Sequence, residues 1–312
     1  MRITAQFVDT GTGHHVFSEK YDRHLQEIFA TQDDITMRVV KSLQLNLTEG
    51  EQAFVYAKGT NNLEAYLKLL QATEYGRRQN PNDNEKAKRI IGEAIELDRN
   101  YPMAYRLLGA LYMMEVWLGS SSSPQNSLQK AAELSQKAID LDPSLGMAYA
   151  VLGHIHILSR DFQRGIELGQ KAVELEPNGA DSHAYLGMGL MFADRPDEAI
   201  KTFKKAIRLN PDAPAWYMLN LAASYRVMGL YNDAIEWARK AIDRQPTNLL
   251  AHLVLTGCYS FAGREEEAKS EAEQVLRINP KFSLEQFSKV SPYKNPEMRK
   301  QYIDSLAKAG LK

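Results

Sequence analysis

From Asp194 to Pro211 the chain reads DRPDEAIKTFKKAIRLNP, with Ala199, Phe203 and Ala206 at i, i+4 and i+7. That spacing lays a stripe along one face of an α-helix and leaves the charged residues on the other. Alanine at two of the three positions lets a second helix approach closely. Pro211 ends the segment, because proline disfavours helical geometry in the residue before it. Matching prolines stand at Pro143, Pro177, Pro246 and Pro280, so the gaps run 34, 34, 35 and 34 residues. A fixed period of this size marks a stack of helix pairs.

Each period opens with a bulky residue, then Leu-Gly or Leu-small, then a further bulky or aromatic residue. Examples are Tyr105-Leu108-Gly109-Tyr112 and His183-Leu186-Gly187-Leu190. The second half alternates small and bulky before its proline. The pattern predicts about six helix-turn-helix repeats, at 63–99, 102–143, 146–177, 180–211, 215–246 and 249–280, the first the weakest. Ser144, Asn178, Asp212 and Thr247 follow their prolines and read as N-caps. Gly165 and Gly169 sit one turn apart inside a helix, where each costs roughly 1 kcal/mol against alanine. Close helix packing explains them first, a flexing point second. The stretch Glu115–Pro124, EVWLGSSSSP, predicts a flexible loop whose Trp117 and Leu118 dock on a partner or fold back.

The ends follow other rules. Residues 2–9 alternate, Thr10-Gly11-Thr12-Gly13 turns, and 14–21 reads as a second strand, so a hairpin is expected. A helix then starts at Thr31–Asp34 with Ile35, Val39 and Leu43 on one face, and Thr48 with Glu51 forms a further capping box. Residues 1–50 thus read as an incomplete α/β unit, 51–282 as the array, and 283–312 as a helical cap. In that cap Asn295-Pro296 starts a helix carrying Met298, Tyr302 and Leu306, and Gly310 ends it. The fold class is all-α.

Net charge is −1, which supplies no bulk attraction for nucleic acid or an anionic membrane. Cys258 is the single cysteine, which excludes an internal disulfide and a cysteine zinc cluster. Within an apolar helix it reads as inert core. No apolar run reaches the roughly 20 residues of a membrane span. The start lacks a basic and apolar leader, which predicts a cytoplasmic protein, or an extracytoplasmic one where a membrane segment lies upstream. His154, His156 and His183 are the candidate metal group, but His154 and His156 point to different sides of a helix, so no metal is expected. No phosphate loop, nucleophile elbow or HExxH occurs. The chain reads as a non-enzyme without a cofactor.

These residues resemble the tetratricopeptide repeat family, most specifically over 100–282. The segment RITAQFVDTGTGHHVFSEKYDRHLQEIFATQDDITMRVV resembles the end of a TolB-like domain. Such a domain precedes these repeats in class III adenylate or guanylate cyclases and in some winged-helix regulators, and SPYKNPEMRKQYIDSLAKAGL resembles their tail. The resemblance implies a right-handed superhelix and an interaction or sensory segment whose effector domain would lie upstream.

It also implies that the first helices line a concave face. Carried over by position, that face presents Met103, Arg106, Met113, Met114, Met147, His154, Ile157, Leu158, Met188, Met191, Phe192, Trp216, Leu219, Arg226, Leu253 and Phe261. Six of the eleven methionines fall in this set, and methionine suits surfaces that adapt to varied partners. The expected partner is a protein or peptide presenting an apolar or amphipathic segment. Packing between repeats is the alternative for the same side chains. Two further functions stay open: a regulatory segment of a cyclase or transcription regulator, and self-association, a homodimer through the strands of residues 1–21.

Overall fold

The computed structural model describes residues 2–8, 15–22, 59–60 and 62–312. β1 (Arg2–Val8) pairs antiparallel with β2 (His15–Asp22), with Arg2 opposite Asp22 and Phe7 opposite Phe17. Arg2 Nε donates to Asp22 Oδ1 at 2.8 Å, an exposed pair that adds little beyond register. The helix expected around Ile35, Val39 and Leu43, and the capping box at Thr48, lie outside the described residues.

Six helix pairs follow: α1 (Leu63–Arg77) with α2 (Pro81–Leu97), α3 (Pro102–Trp117) with α4 (Pro124–Leu141), α5 (Gly146–Leu158) with α6 (Phe162–Leu175), α7 (Ala180–Phe192) with α8 (Pro196–Leu209), α9 (Ala215–Val227) with α10 (Tyr231–Arg244), and α11 (Leu249–Phe261) with α12 (Glu265–Ile278). Each helix packs on its sequence neighbour. The first helices also touch one another in series, from α1 on α3 to α9 on α11, and so form the inner row of the superhelix. Ala199, Phe203 and Ala206 are fully buried, as their stripe requires. The Leu-Gly motif makes room for that stripe: a Cβ on Gly187 would lie 3.0 Å from the Phe203 ring.

The glycines of the third pair serve close approach. A Cβ on Gly165 would lie 2.7 Å from the Gly153 carbonyl oxygen, and one on Gly153 would lie 2.7 Å from that of Gly165. The backbones of α5 and α6 therefore touch, and the pair is a packing contact. Between the helices of each pair, one residue adopts a left-handed conformation. Glycine fills this place at Gly119, Gly229 and Gly263, but Gln79, Arg160 and Asp194 hold it at φ 50°, 65° and 67°.

Two local expectations change. The first helices are capped by Leu145, Gly179, Pro214 and Asn248, a residue or two later than the positions after the prolines, and among these only Asn248 caps with its side chain. The turn itself uses the earlier residues: Asp142 Oδ1 accepts from Ser144 N at 2.9 Å. The segment at Glu115–Pro124 is more ordered than its serines suggest. α3 runs on to Trp117, and the carbonyl of Glu115 accepts from the backbone N–H groups of Ser120 and Ser121. The buried Glu115 carboxylate also binds Lys88 and Ser127. Trp117 and Leu118 fold back onto the array.

The array closes on itself. Gln245 Nε2 donates to the Arg78 carbonyl at 3.3 Å, and Asn248 Nδ2 to Gln79 Oε1 at 3.1 Å. After α12, α13 (Leu284–Val290) touches α3, and α14 (Pro296–Lys308) lies on α11. Asn295 caps α14 by accepting from Glu297 N and Met298 N. Leu306 and Leu311 are buried in the same core as the fourth to sixth pairs. Among the described residues, no helix is long and apolar enough to cross a membrane.

Candidate functional site

The inner helices converge on a concave face that is aromatic at its centre. Trp117 stacks at 5.9 Å on His154 and at 5.7 Å on Phe192, and Tyr185 packs at 5.2 Å on Trp216. Trp117 Nε1 donates to His154 Nε2 at 3.2 Å. Burial lowers His154 to a pKa of about 3, so its imidazole is neutral. The other two histidines of the candidate metal group point elsewhere. His183 Nε2 meets the Pro177 carbonyl, and His156 Nδ1 meets Asp161. His252 repeats the His183 arrangement on the Pro246 carbonyl, which shows these rings bracing the proline turns.

The structure splits the sixteen expected contact residues. Met113, His154, Ile157, Leu158, Met188, Met191, Phe192, Leu219, Arg226 and Leu253 are buried. Ile157, Met191 and Leu253 are almost completely so, and pack within the core between repeats. Met103, Arg106, Met114, Met147, Trp216 and Phe261 keep part of their surface open. The burial has two causes. Neighbouring repeats cover some of the set, and the C-terminal segment covers the rest.

That segment crosses the concave face from α13 to α14. Lys294 N donates to the Phe192 carbonyl at 2.9 Å. Arg160 donates to the carbonyls of Ser291 at 3.2 Å and Tyr293 at 3.4 Å. The Tyr293 ring meets Phe192 edge-on at 5.1 Å, and its hydroxyl accepts from Arg226 Nη2 at 2.5 Å. Arg226 lies 3.8 Å over the Tyr302 ring. Burial works against its charge, and the neighbouring phenols of Tyr293 and Tyr302 act the other way, leaving the guanidinium pKa raised. A Cβ on Gly257 would sit 2.5 Å from Tyr302, so this position is cleared for the tail. Ser260 Oγ donates to the Ser305 carbonyl at 3.0 Å.

Two further features stand out among the described residues. One is the zone around Arg106. Its Nε is buried without a partner among the described residues, and burial lowers its pKa. The nearby carboxylates serve other donors: Asp181 accepts from the Tyr217 hydroxyl, and Glu176 from Met147 N and Ser182 Oγ. The other is a cavity of about 330 Å³ at the seam between α3, α11 and α13, lined by Trp117, Leu118, Leu250, Leu253, Phe287 and Val290. Arg160, Tyr293 and Tyr302 could not be read from the sequence as groove residues, because the positional rule speaks only of inner helices.

Comparison with known proteins agrees with the helix pairs. Residues 186–248 match the tetratricopeptide repeat family model. A stretch of 132 residues, 41% of this chain, is 32% identical to Putative adenylate cyclase 3 of Rhizobium meliloti (strain 1021) and spans 22% of that protein. The chain thus matches about a fifth of that relative's length. Among solved structures, the APC/C hetero-tetramer Cut9-Hcn1 is similar with a TM-score of 0.56 at 15% identity, over 85% of this chain and 53% of that one, a likeness of fold alone. YrrB, described as a TPR protein with an unusual peptide-binding site, is similar at a TM-score of 0.39 and 20% identity, over 61% of this chain and 93% of that one.

Proposed function

We propose, from the premise that the helix pairs form a tetratricopeptide repeat array, that this chain is a protein-interaction scaffold whose concave face takes an apolar or amphipathic segment of a partner. One observation carries the reading: the face already holds such a segment, its own residues Ser291–Tyr302, by main-chain hydrogen bonds and a buried aromatic ring. Repeat arrays use extended concave surfaces for this purpose. The partly buried Met103, Arg106, Met147 and Trp216 supply apolar and cationic contacts for the remainder of a ligand. The test is a peptide-display selection against the full chain. Selected peptides should bind the wild type and lose binding to Met103→Glu and Trp216→Ala variants that melt normally. Selections that yield nothing, or peptides indifferent to both changes, remove the reading.

The match to a putative adenylate cyclase favours a second reading, in which the array is a regulatory segment within a cyclase-type protein. Joined to a cyclase domain, the array should alter cyclic-nucleotide production when a selected peptide is added. Production unchanged by both array and peptide dismisses it. Self-association through residues 1–21 is the third route, and analytical ultracentrifugation with and without those residues decides it.

A further inference from the structure

We infer that Arg160, Phe192 and Arg226 form a tyrosine-reading subsite on the concave face, and that Tyr293 of the chain's own tail is its resident competitor. The inference rests on the scaffold reading and names the chemistry of the partner: an extended stretch presenting a tyrosine, followed by a helix.

A purely structural cap accounts for only half of the tail. Tyr302, Leu306 and Leu311 cover the apolar face that α11 would otherwise leave open at the end of the stack. Tyr293 does something else. It reaches back from beyond the sixth pair to Phe192 at the end of the fourth pair's first helix, and its carbonyl meets Arg160 in the third pair. Covering the last helix needs none of these contacts.

The array side of the contact is built for an extended chain. Phe192 offers a backbone carbonyl to Lys294 N, and Arg160 takes two tail carbonyls, those of Ser291 and Tyr293, two residues apart. Arg160 does this from a left-handed backbone position that three other turns fill with glycine. Such a conformation costs a non-glycine residue roughly 1 kcal/mol. Arg226 is buried without a carboxylate partner among the described residues, and burial alone disfavours a cation. Its hydrogen bond goes to the Tyr293 hydroxyl, its face lies on Tyr302, and its Nε has no partner among the described residues. A buried guanidinium that donates to a phenol discriminates against an apolar ring, because phenylalanine leaves the donor unpaired.

Occupation in cis reduces the apparent affinity for a segment in trans to the intrinsic affinity multiplied by the fraction of time the tail is away. The probe is a fluorescein-labelled peptide of residues 288–296, SKVSPYKNP, titrated by anisotropy into the full chain and into full-chain Tyr293→Ala. The vacated variant should bind the probe about tenfold more tightly than wild type. Adding Arg160→Ala, a surface change, should weaken that binding about fivefold, and a probe with phenylalanine for tyrosine should lose a similar factor. Equal binding by wild type and a folded Tyr293→Ala, or indifference to Arg160→Ala, overturns the inference. Should Tyr293→Ala fail to fold, hydrogen exchange of the wild type decides. The Lys294 amide should exchange at least about a hundredfold faster than that of Tyr302, showing that the tail opens locally. Exchange of both at the global unfolding rate makes the tail a fixed cap and overturns the inference. Display-selected peptides that bind at Met103 and Trp216 without competing with the probe would leave the scaffold reading intact and remove this one alone.

Discussion

Arg160 and Tyr293 are 133 positions apart, yet the guanidinium of one donates to the carbonyl of the other at 3.4 Å. Arg160 holds φ at 65° to do so, and Asp194 holds 67° at the equivalent turn one pair later with no hydrogen bond to the tail among the described residues. The two positions separate backbone strain from tail binding. Asp194→Gly should raise stability by up to about 1 kcal/mol in urea melts, since glycine adopts this conformation freely. Arg160→Gly relieves the same strain but deletes two hydrogen bonds to the tail. It should show no gain, and the Lys294 amide should exchange faster. An equal gain at both positions would mean that the tail contact adds nothing.

Gly153 and Gly165 make a second paired test. Each would place a Cβ 2.7 Å from the other's carbonyl oxygen, which is backbone and cannot rotate away. Gly165→Ala should therefore destabilise by roughly 1–3 kcal/mol, the usual cost of overpacking. Gly169→Ala meets Leu186 Cδ1 at 3.1 Å, the end of a flexible side chain. Its cost should be much smaller, and the helix propensity of alanine offsets part of it. Urea denaturation midpoints rank the two. The reverse ranking, or a gain in stability at both, would point back to a soft helix.

What the sequence made legible follows from periodicity. Ala199, Phe203 and Ala206, the near-34-residue proline spacing and the Leu-Gly or Leu-small motif each report a local helix-on-helix contact that recurs from repeat to repeat, so the stack could be read from the sequence. The concave face was read by position within the repeat, and that rule assumes an open groove. It cannot register that Gln245 and Asn248 return to Arg78 and Gln79, or that Tyr293 lies on Phe192. Both are contacts between residues far apart in sequence, set by how each pair rotates on the last. The helix starts were misplaced for a simpler reason. Ser144 and Asn178 look like caps, but the turn after each proline needs another residue before the helix begins.

Cys258 gives a clean reporter of opening. It is fully buried in α11, and burial pushes its thiol up to about 12. A thiol so placed is neither accessible nor ionised near neutral pH. Alkylation by iodoacetamide should then track unfolding, with the native chain unmodified over hours and rapid labelling above the urea midpoint. Fast labelling of the native chain would show that α11 is exposed in solution.

His154 sets the acid response of the aromatic centre. Its imidazole accepts from Trp117 and is buried, which lowers its pKa from the usual value near 6.5 to about 3. The folded chain thus refuses a proton that the unfolded chain accepts. Stability from this group is complete above pH 6.5 and falls as pH drops toward 3. The slope approaches roughly 1.4 kcal/mol for each pH unit inside that window. His252 has the opposite sign. Burial would lower it, but Glu271 and the Pro246 carbonyl raise its pKa, so its contribution is present below pH 6.5 and fades as pH rises through the raised value. His154→Gln keeps an acceptor for Trp117 without titrating. Urea melts of the two chains from pH 7.5 to 4 should diverge steadily below pH 6.5, with the glutamine variant losing less stability. Parallel curves over that range would show that His154 is hydrated, and that the aromatic centre it shares with Trp117 and Phe192 is open to water.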